Sequence, residues 1–407
     1  MTELLAPAGT LEKLEYAFAF GADAVYAGIP FFSLRARRNE FTLDDLAAGV
    51  RLARDQGKKL YLTANIFARN RKIPSFLDRI GEWAALQPDA LIMSDPGLMM
   101  LVRERHPEIP IHLSVQANCM NWEAVRFWAR QGVERIILSR ELTLDEIRTI
   151  HEKVPEVELE AFVHGAICIA YSGRCLMSSY MSYRDANQGV CDNSCREKFN
   201  VLVEDRRSPG EFYRMDEDEN GTYIMNAKDL RLVENLREIV ESGVCSLKIE
   251  GRTKSLYYVS MVTRAYRRAI DDLAAGRAFD PTLLHEFDKI PNRGYHKGFL
   301  LGAPGATGQN YETSSSFVSK QNFGGVVKAG AAKFPGWIPV EIRGPVNKGD
   351  GCELITPSGS WRFPASAIRN DEGAEVDRAN PGYGGIFHFP VDAPVPAYGL
   401  LSVDAAP

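Results

Sequence analysis

The sequence of 407 residues contains no apolar run approaching the roughly 18–20 residues that span a bilayer, so no transmembrane helix is expected. No basic segment followed by an apolar one lies near Met1, which excludes a secretory signal and gives a cytoplasmic expectation. Positive charge is not in excess. Lys and Arg number 48 against 53 Asp and Glu, a net charge of −5, which excludes a uniformly basic nucleic-acid binder but leaves room for a local basic face. Cysteine is sparse and odd in number at seven, a poor basis for a disulfide framework in a reducing compartment. With 45% hydrophobic and 25% charged residues, the composition is that of a folded globular chain, not of a disordered, collagenous or coiled-coil one. The length suits two or three domains, or one large barrel with an accessory.

What is present is a repeated unit: a short apolar run, a turn, then an amphipathic stretch. The runs are Leu4–Gly9, Ala24–Gly28, Leu60–Asn65, Ala90–Ser94, Ile111–Gln116, Arg135–Ser139, Glu158–Val163 and Ser246–Glu250. Near-continuous apolar character marks strands covered on both faces, and alternation with helices implies parallel βαβ units. Thr143 with Glu146 three residues later forms a capping-box pattern, and Thr10 is placed to cap the first helix. Eight units predict an α/β fold, a TIM-like (β/α)8 barrel made irregular by the cysteine segment, with a doubly wound open sheet as the alternative. The barrel is expected over residues 1–305. Short alternating runs separated by Gly, Pro and Asn then predict a small all-β barrel or sandwich over 316–407.

In a barrel the strand C-termini gather at one mouth. Asn65, Asp95, Gln116, Asn118, Arg140, Glu141, His164, Glu250 and Arg252 all stand at such ends. Ordinary loop polarity is the competing explanation for any one of them.

Four cysteines, Cys168, Cys175, Cys191 and Cys195, fall within 28 residues, inside a segment spanning about 160–200. Structural zinc favours two close Cys pairs, and only the last pair approaches that spacing. Iron–sulfur clusters accept more varied thiolate spacings, so a 4Fe–4S cluster is the leading reading, ahead of zinc and of unligated or redox thiols. Cys119, Cys245 and Cys352 sit in apolar or strand contexts and read as small buried hydrophobes.

The segments Glu160–Cys168 and Ser172–Ser178 closely resemble the signature of the U32 peptidase family. Arg184–Gly189, leading into Cys191 and Cys195, is similar to the tRNA-hydroxylation branch of that family. So are Leu4–Gly9, Phe32–Arg37 and Leu247–Ser255, and Ala186 stands where the family pattern has proline. The resemblance covers essentially the whole chain. It implies an oxygen-independent hydroxylase that forms 5-hydroxyuridine at the tRNA wobble position, with prephenate as hydroxyl donor. It also implies that the four clustered cysteines hold a 4Fe–4S cluster. A collagenase-like protease, or a hydroxylase of another RNA or of a quinone precursor, is the alternative. Neither G-x-S-x-G nor H-E-x-x-H is present, which weakens the protease reading.

A dicarboxylate such as prephenate requires cationic forks, so Arg140, Arg252, Lys248 and Lys254 are the candidate substrate-binding cations, with Glu250 orienting them. His164, beside the cluster segment, is a candidate proton shuttle, with Glu160 and Asn118 completing the candidate catalytic set. The competing readings are a structural histidine and, for Arg252, an ion pair with Glu250 or Glu160. Between Arg35 and Lys72 ten Lys and Arg stand against four Asp and Glu. Arg35, Arg37, Arg38, Arg69, Arg71 and Lys72, interleaved with Phe32, Phe41 and Phe67, form a candidate RNA-binding stretch. A solvated face over core aromatics is the other reading, and the C-terminal β domain is a second candidate RNA surface by fold analogy. No feature bears on oligomeric state.

Overall fold

The eight apolar runs form eight strands that close on one another. In the computed structural model, residues 2–34, 40–168, 170–193, 202–204, 212–214, 227–302, 319–382 and 385–405 are described. The strands β1 Glu3–Pro7, β2 Ala24–Gly28, β3 Lys59–Ala64, β4 Ala90–Met93, β5 Ile111–Leu113, β6 Arg135–Ile137 and β7 Glu158–Gly165 pair in sequence, each parallel to the next. After a short antiparallel pair, β8 Leu202–Glu204 with β9 Phe212–Arg214, come β10 Asp229–Arg231 and β11 Val244–Ile249. Strand β11 pairs in parallel with both β7 and β1, which makes the sheet a closed eight-stranded barrel and not an open one. The irregularity falls at the cysteine segment, as expected. There β10 runs antiparallel along the end of β7, and β12 Tyr295–His296 adds to β10.

Helices α1 Leu11–Ala19, α2 Leu43–Asp55, α3 Ile73–Ala85, α4 Pro96–Arg105, α5 Trp122–Arg130 and α6 Leu144–Lys153 link the first seven strands. Their starts follow local chemistry. Thr10 and Asn121 accept from backbone N–H groups two to three residues into their helices, and Asp95 does the same ahead of Pro96. Thr42 with Asp45 and Thr143 with Glu146 form reciprocal capping boxes. Helix α7 Met177–Ser182 lies in the cysteine segment, followed along the chain by α8 Leu236–Glu241, α9 Leu256–Ala274 and α10 Leu284–Asp288. No described helix is long and apolar enough to cross a membrane.

The barrel interior departs from the layers of branched aliphatic residues usual in this fold. Arg135 on β6 meets Glu3 at 2.5 Å, Glu158 at 2.7 Å and Glu160 at 3.3 Å. Tyr61 and Ser246 donate to Glu3 at 2.7 and 2.8 Å. Burial alone would raise the Glu3 carboxyl, but Arg135 and these donors hold it below its ordinary range.

The C-terminal strands are β13 Gln321–Val327, β14 Trp337–Ile342, β15 Val346–Asn347, β16 Gly351–Ile355, β17 Ser360–Pro364, β18 Arg378–Ala379, β19 Ile386–Pro390 and β20 Leu400–Asp404. Six of them form one antiparallel sheet in the order β17-β16-β20-β13-β14-β19, with its own core around Ile338, Val340, Leu354, Phe389 and Leu401. This domain docks on the barrel's helices. Tyr257 of α9 donates to Gln321 at 3.1 Å, and Arg264 of α9 donates to the Thr356 carbonyl at 2.9 Å while pairing with Glu286 at 2.7 Å.

Candidate active site

A cavity opens at the C-terminal ends of the strands, the face on which barrel enzymes place their chemistry. Its wall divides into two arcs. The arc from β3 to β5 is neutral: Asn65, Ser114 and Gln116 line it, with Ser94 bonded to them. The arc from β6 to β11 is charged and carries Arg140, Lys248, Glu250 and Arg252 over the rings of Tyr26 and Phe162.

In the charged arc, Lys248 Nζ meets Glu160 Oε1 at 2.7 Å and lies 4.3 Å from the centre of the Tyr26 ring. Burial lowers the Lys248 ammonium pKa, and Glu160 opposes that shift. The Arg140 guanidinium stacks 4.0 Å over Phe162, donates to the Ala166 carbonyl at 3.0 Å and stands 3.9 Å from Glu250. Arg252 donates to Thr63 Oγ1 at 2.7 Å and to the Leu34 carbonyl at 2.6 Å, bracing the cavity wall across strands.

The cysteine segment forms the remaining wall. Cys168, Cys175 and Cys191 all line the cavity, and all three are free thiols. The Met177 N–H points at Cys175 Sγ at 3.3 Å, and the Asn193 N–H and Ser178 hydroxyl point at Cys191 Sγ at 3.4 and 3.6 Å. Asn187 clamps Cys175 by accepting from its N–H at 3.3 Å and donating to its carbonyl at 2.9 Å. Glu141, after β6, receives the Ser172 N–H at 2.7 Å and so ties this segment to the barrel. Gly165, at φ 109°, begins it, and a Cβ there would fall 2.5 Å from the Glu250 carbonyl oxygen, so only glycine fits. Cys195 lies outside the described residues. No three described His, Cys, Asp or Glu residues converge to metal-holding distance. Three thiols on one wall, two of them facing N–H donors, still form a donor set that fits a thiolate-held cluster. The other three cysteines differ: burial pushes Cys119 and Cys352 up to about 12 and Cys245 up to about 11, and none lines the cavity.

The remaining candidates are dispersed. Glu160 lies beneath the cavity, fully buried in the ion network. The structure does not bring His164 to the cavity. Lys248 and Ile249 of β11 pair with Phe162 and His164 of β7, so a bulge at Val163 turns His164 outward. Its ring packs against Tyr258, Tyr266, Phe287 and Tyr295, with Nδ1 3.4 Å from the Tyr266 hydroxyl. Burial holds it down at about 3, with Arg231 and Lys254 acting in the same direction. Asn118, left-handed at φ 55°, holds the Tyr171 carbonyl at 3.1 Å and does not line the cavity. Lys254 lies over the Tyr258 ring at 5.2 Å, also away from the cavity.

Around the mouth, Arg69 pairs with Asp185 at 2.9 Å, Lys72 donates to the Phe31 carbonyl at 2.9 Å, and Arg71 is exposed. Arg35, Arg37 and Arg38 lie outside the described residues. Of the three aromatics read as stacking partners, Phe32 and Phe41 are core residues, and Phe67 lies under the Arg174 guanidinium at 4.5 Å. The exposed rings are different ones: Phe31 at 68%, Tyr171 at 51% and Tyr183 at 96%. Period-two and helical patterns carry no signal for such positions, since Phe31 lies in a turn, Tyr171 in a single 3-10 turn and Tyr183 at a helix C-cap.

The sequence profile of peptidase family U32 matches residues 9–310, and that of its C-terminal domain matches residues 319–401. The chain is 45% identical to tRNA hydroxylation protein P of Escherichia coli K12 over 96% of its own length and 93% of the relative's. It is 37% identical to tRNA hydroxylation protein P1 of Bacillus subtilis 168, covering 93% and 89%. To the E. coli 23S rRNA 5-hydroxycytidine C2501 synthase it is 32% identical, over 90% of this chain and 54% of that one. The barrel with its thiol-lined mouth and the C-terminal domain built on a six-stranded sheet are those of a member of peptidase family U32, to which this chain belongs.

Proposed function

We propose that this protein is a tRNA hydroxylase that forms 5-hydroxyuridine at the wobble position without molecular oxygen, using prephenate as hydroxyl donor. The observation that carries this reading is the composition of one cavity: three free thiols, a charged arc and a neutral amide arc meet at the barrel mouth. Relatives named as tRNA hydroxylation proteins, matched over nearly the whole chain, support the substrate class.

Each arc has its task. Arg140, held flat on Phe162, presents a guanidinium edge suited to a carboxylate, and Lys248 adds a second, desolvated cation. Arg252 braces the wall through Thr63 and Leu34. Cys168, Cys175 and Cys191, with Cys195 from the neighbouring chain segment, would hold a 4Fe–4S cluster. Such a cluster supplies one-electron chemistry close to the bound ligands. At the rim, Arg71, Arg174 and Arg184 stand exposed among Phe31, Tyr171 and Tyr183, a mixture that suits phosphates and unstacked bases of a single-stranded loop. Proteolysis gains no support from this geometry, because no described histidine lines the cavity to activate a nucleophile.

Protein purified without air, incubated with unmodified tRNA and prephenate, tests the reading. 5-Hydroxyuridine by nucleoside mass spectrometry, lost when prephenate is withheld, is the expected result. Product formation independent of any added donor would remove the donor assignment.

A further inference from the structure

The neutral arc of the cavity holds a side chain whose orientation is fixed by a chain of hydrogen bonds that starts in the backbone. The Leu34 N–H can only donate, so the Asn65 atom that receives it at 3.1 Å is the carbonyl oxygen Oδ1. Asn65 Nδ2 is therefore a donor, and it reaches Ser114 Oγ at 3.3 Å and Gln116 Oε1 at 3.2 Å. The amide of Gln116 must then turn its oxygen toward Asn65. Ser114 donates to the same oxygen at 2.5 Å, and the Ser94 hydroxyl lies 3.4 Å from it. A flipped Gln116 would set its NH2 against that of Asn65, so the two amides allow one arrangement only.

Every hydrogen bond that Gln116 makes among the described residues runs through Oε1. The side chain is 91% buried, with relative exposure 9%, and lines the cavity. Its Nε2 hydrogens are thus left for whatever the cavity receives. A donor held in this way, aimed into the cavity, is suited to an acceptor atom on the ligand. In the reading above, Arg140 and Lys248, in the other part of the wall, take a carboxylate, which leaves the neutral arc for a neutral ring. We infer that Gln116 is a specificity-determining residue whose Nε2 donates to the 4-carbonyl oxygen of a uracil ring. Cytosine carries an amine at that position, which would set donor against donor. This inference rests on the tRNA hydroxylase reading.

The experiment compares two stem-loop RNAs that differ only in carrying U or C at the modified position, using the purified, fully loaded enzyme. Wild type modifies the U substrate with a large excess over C. Gln116→Glu presents acceptor oxygens, and the U-to-C rate ratio falls by about tenfold or more, the scale of a base-edge hydrogen-bond mismatch. Asn65→Asp is the second variant. It takes away the donor facing Gln116 Oε1, lets the amide flip and moves the ratio the same way, with the Gln116 side chain itself unchanged. The conservative Gln116→Met lowers the rate on U while leaving the C rate near its wild-type value. A U-to-C ratio equal to wild type in both Gln116→Glu and Asn65→Asp overturns the inference, as does a uniform loss on both bases. An effect confined to the KM of the small-molecule donor also overturns it and would assign Nε2 to a carboxylate instead. Absence of any modified nucleoside with wild type fails the hydroxylase reading itself, a result distinct from all of these.

Discussion

Lys248 and Glu160 form an ion pair at 2.7 Å with Glu160 fully buried, and the lysine alone of the two faces the cavity. Glu160 also meets Arg135, which in turn meets Glu3, so a continuous series of charges runs along the barrel interior to its catalytic face. Removing one member leaves the others desolvated without a partner. Glu160→Gln is expected to cost about 3–5 kcal/mol in urea unfolding, a typical penalty for breaking a buried pair. A loss below about 1 kcal/mol would contradict this account of the interior.

Arg140 combines a 4.0 Å stack on Phe162 with a 3.0 Å bond to the Ala166 carbonyl at the start of the cysteine segment. Lysine keeps the charge but neither the plane nor the fork. Arg140→Lys is therefore expected to raise the KM for the dicarboxylate about tenfold, a loss of about 1.4 kcal/mol, with the KM for tRNA unchanged. Steady-state kinetics with each substrate varied separately check it, and equal effects on both KM values would contradict it.

His164 gives the protein a pH signature. Its folded ring is held down at about 3, against an ordinary 6.5, by burial together with Arg231 and Lys254. Between those values the unfolded chain binds the proton and the folded chain does not, so this contribution to stability is present above 6.5 and is lost as pH falls. The slope approaches about 1.4 kcal/mol per pH unit for one such group. His164→Phe keeps a ring among Tyr258, Phe287 and Tyr295, and it should flatten the fall in unfolding free energy between about pH 6 and pH 4. An unchanged slope would show that the ring is accessible to protons.

The rim residues predict a salt dependence. Arg71 and Arg184 are both exposed, and each contact with a phosphate releases counterions. Arg71→Glu and Arg184→Glu should each reduce the slope of log affinity for tRNA against log salt by about 1. Fluorescence anisotropy over a salt series measures it. Binding insensitive to salt in the wild type would remove the electrostatic footprint.

The barrel was legible because its strands are covered on both faces: runs such as Leu60–Asn65 and Arg135–Ser139 carry that burial in their composition. The charged arc was legible for the same reason, since polar residues that end apolar strands mark a barrel mouth. His164 was misplaced by one residue's worth of geometry. A bulge reverses the inward–outward alternation, and nothing in the composition of Glu158–Gly165 announces the bulge at Val163. Asn118 escaped for a related reason, because a short 3-10 turn ending in a left-handed residue swings it away from the cavity. Among the aromatics, Phe31 and Phe32 are neighbours with opposite fates, one 68% exposed and the other 2%. Phe31 has a positive φ of 68°, which local composition does not encode.

Mass spectrometry of nucleosides from bulk tRNA, in a strain lacking the gene and in the same strain carrying it back, tests the central claim most directly. The account predicts that 5-hydroxyuridine disappears on deletion and returns with the wild-type gene, but not with Cys175→Ser. An unchanged 5-hydroxyuridine level in the deletion strain, with any other hydroxylation pathway also removed, would contradict it.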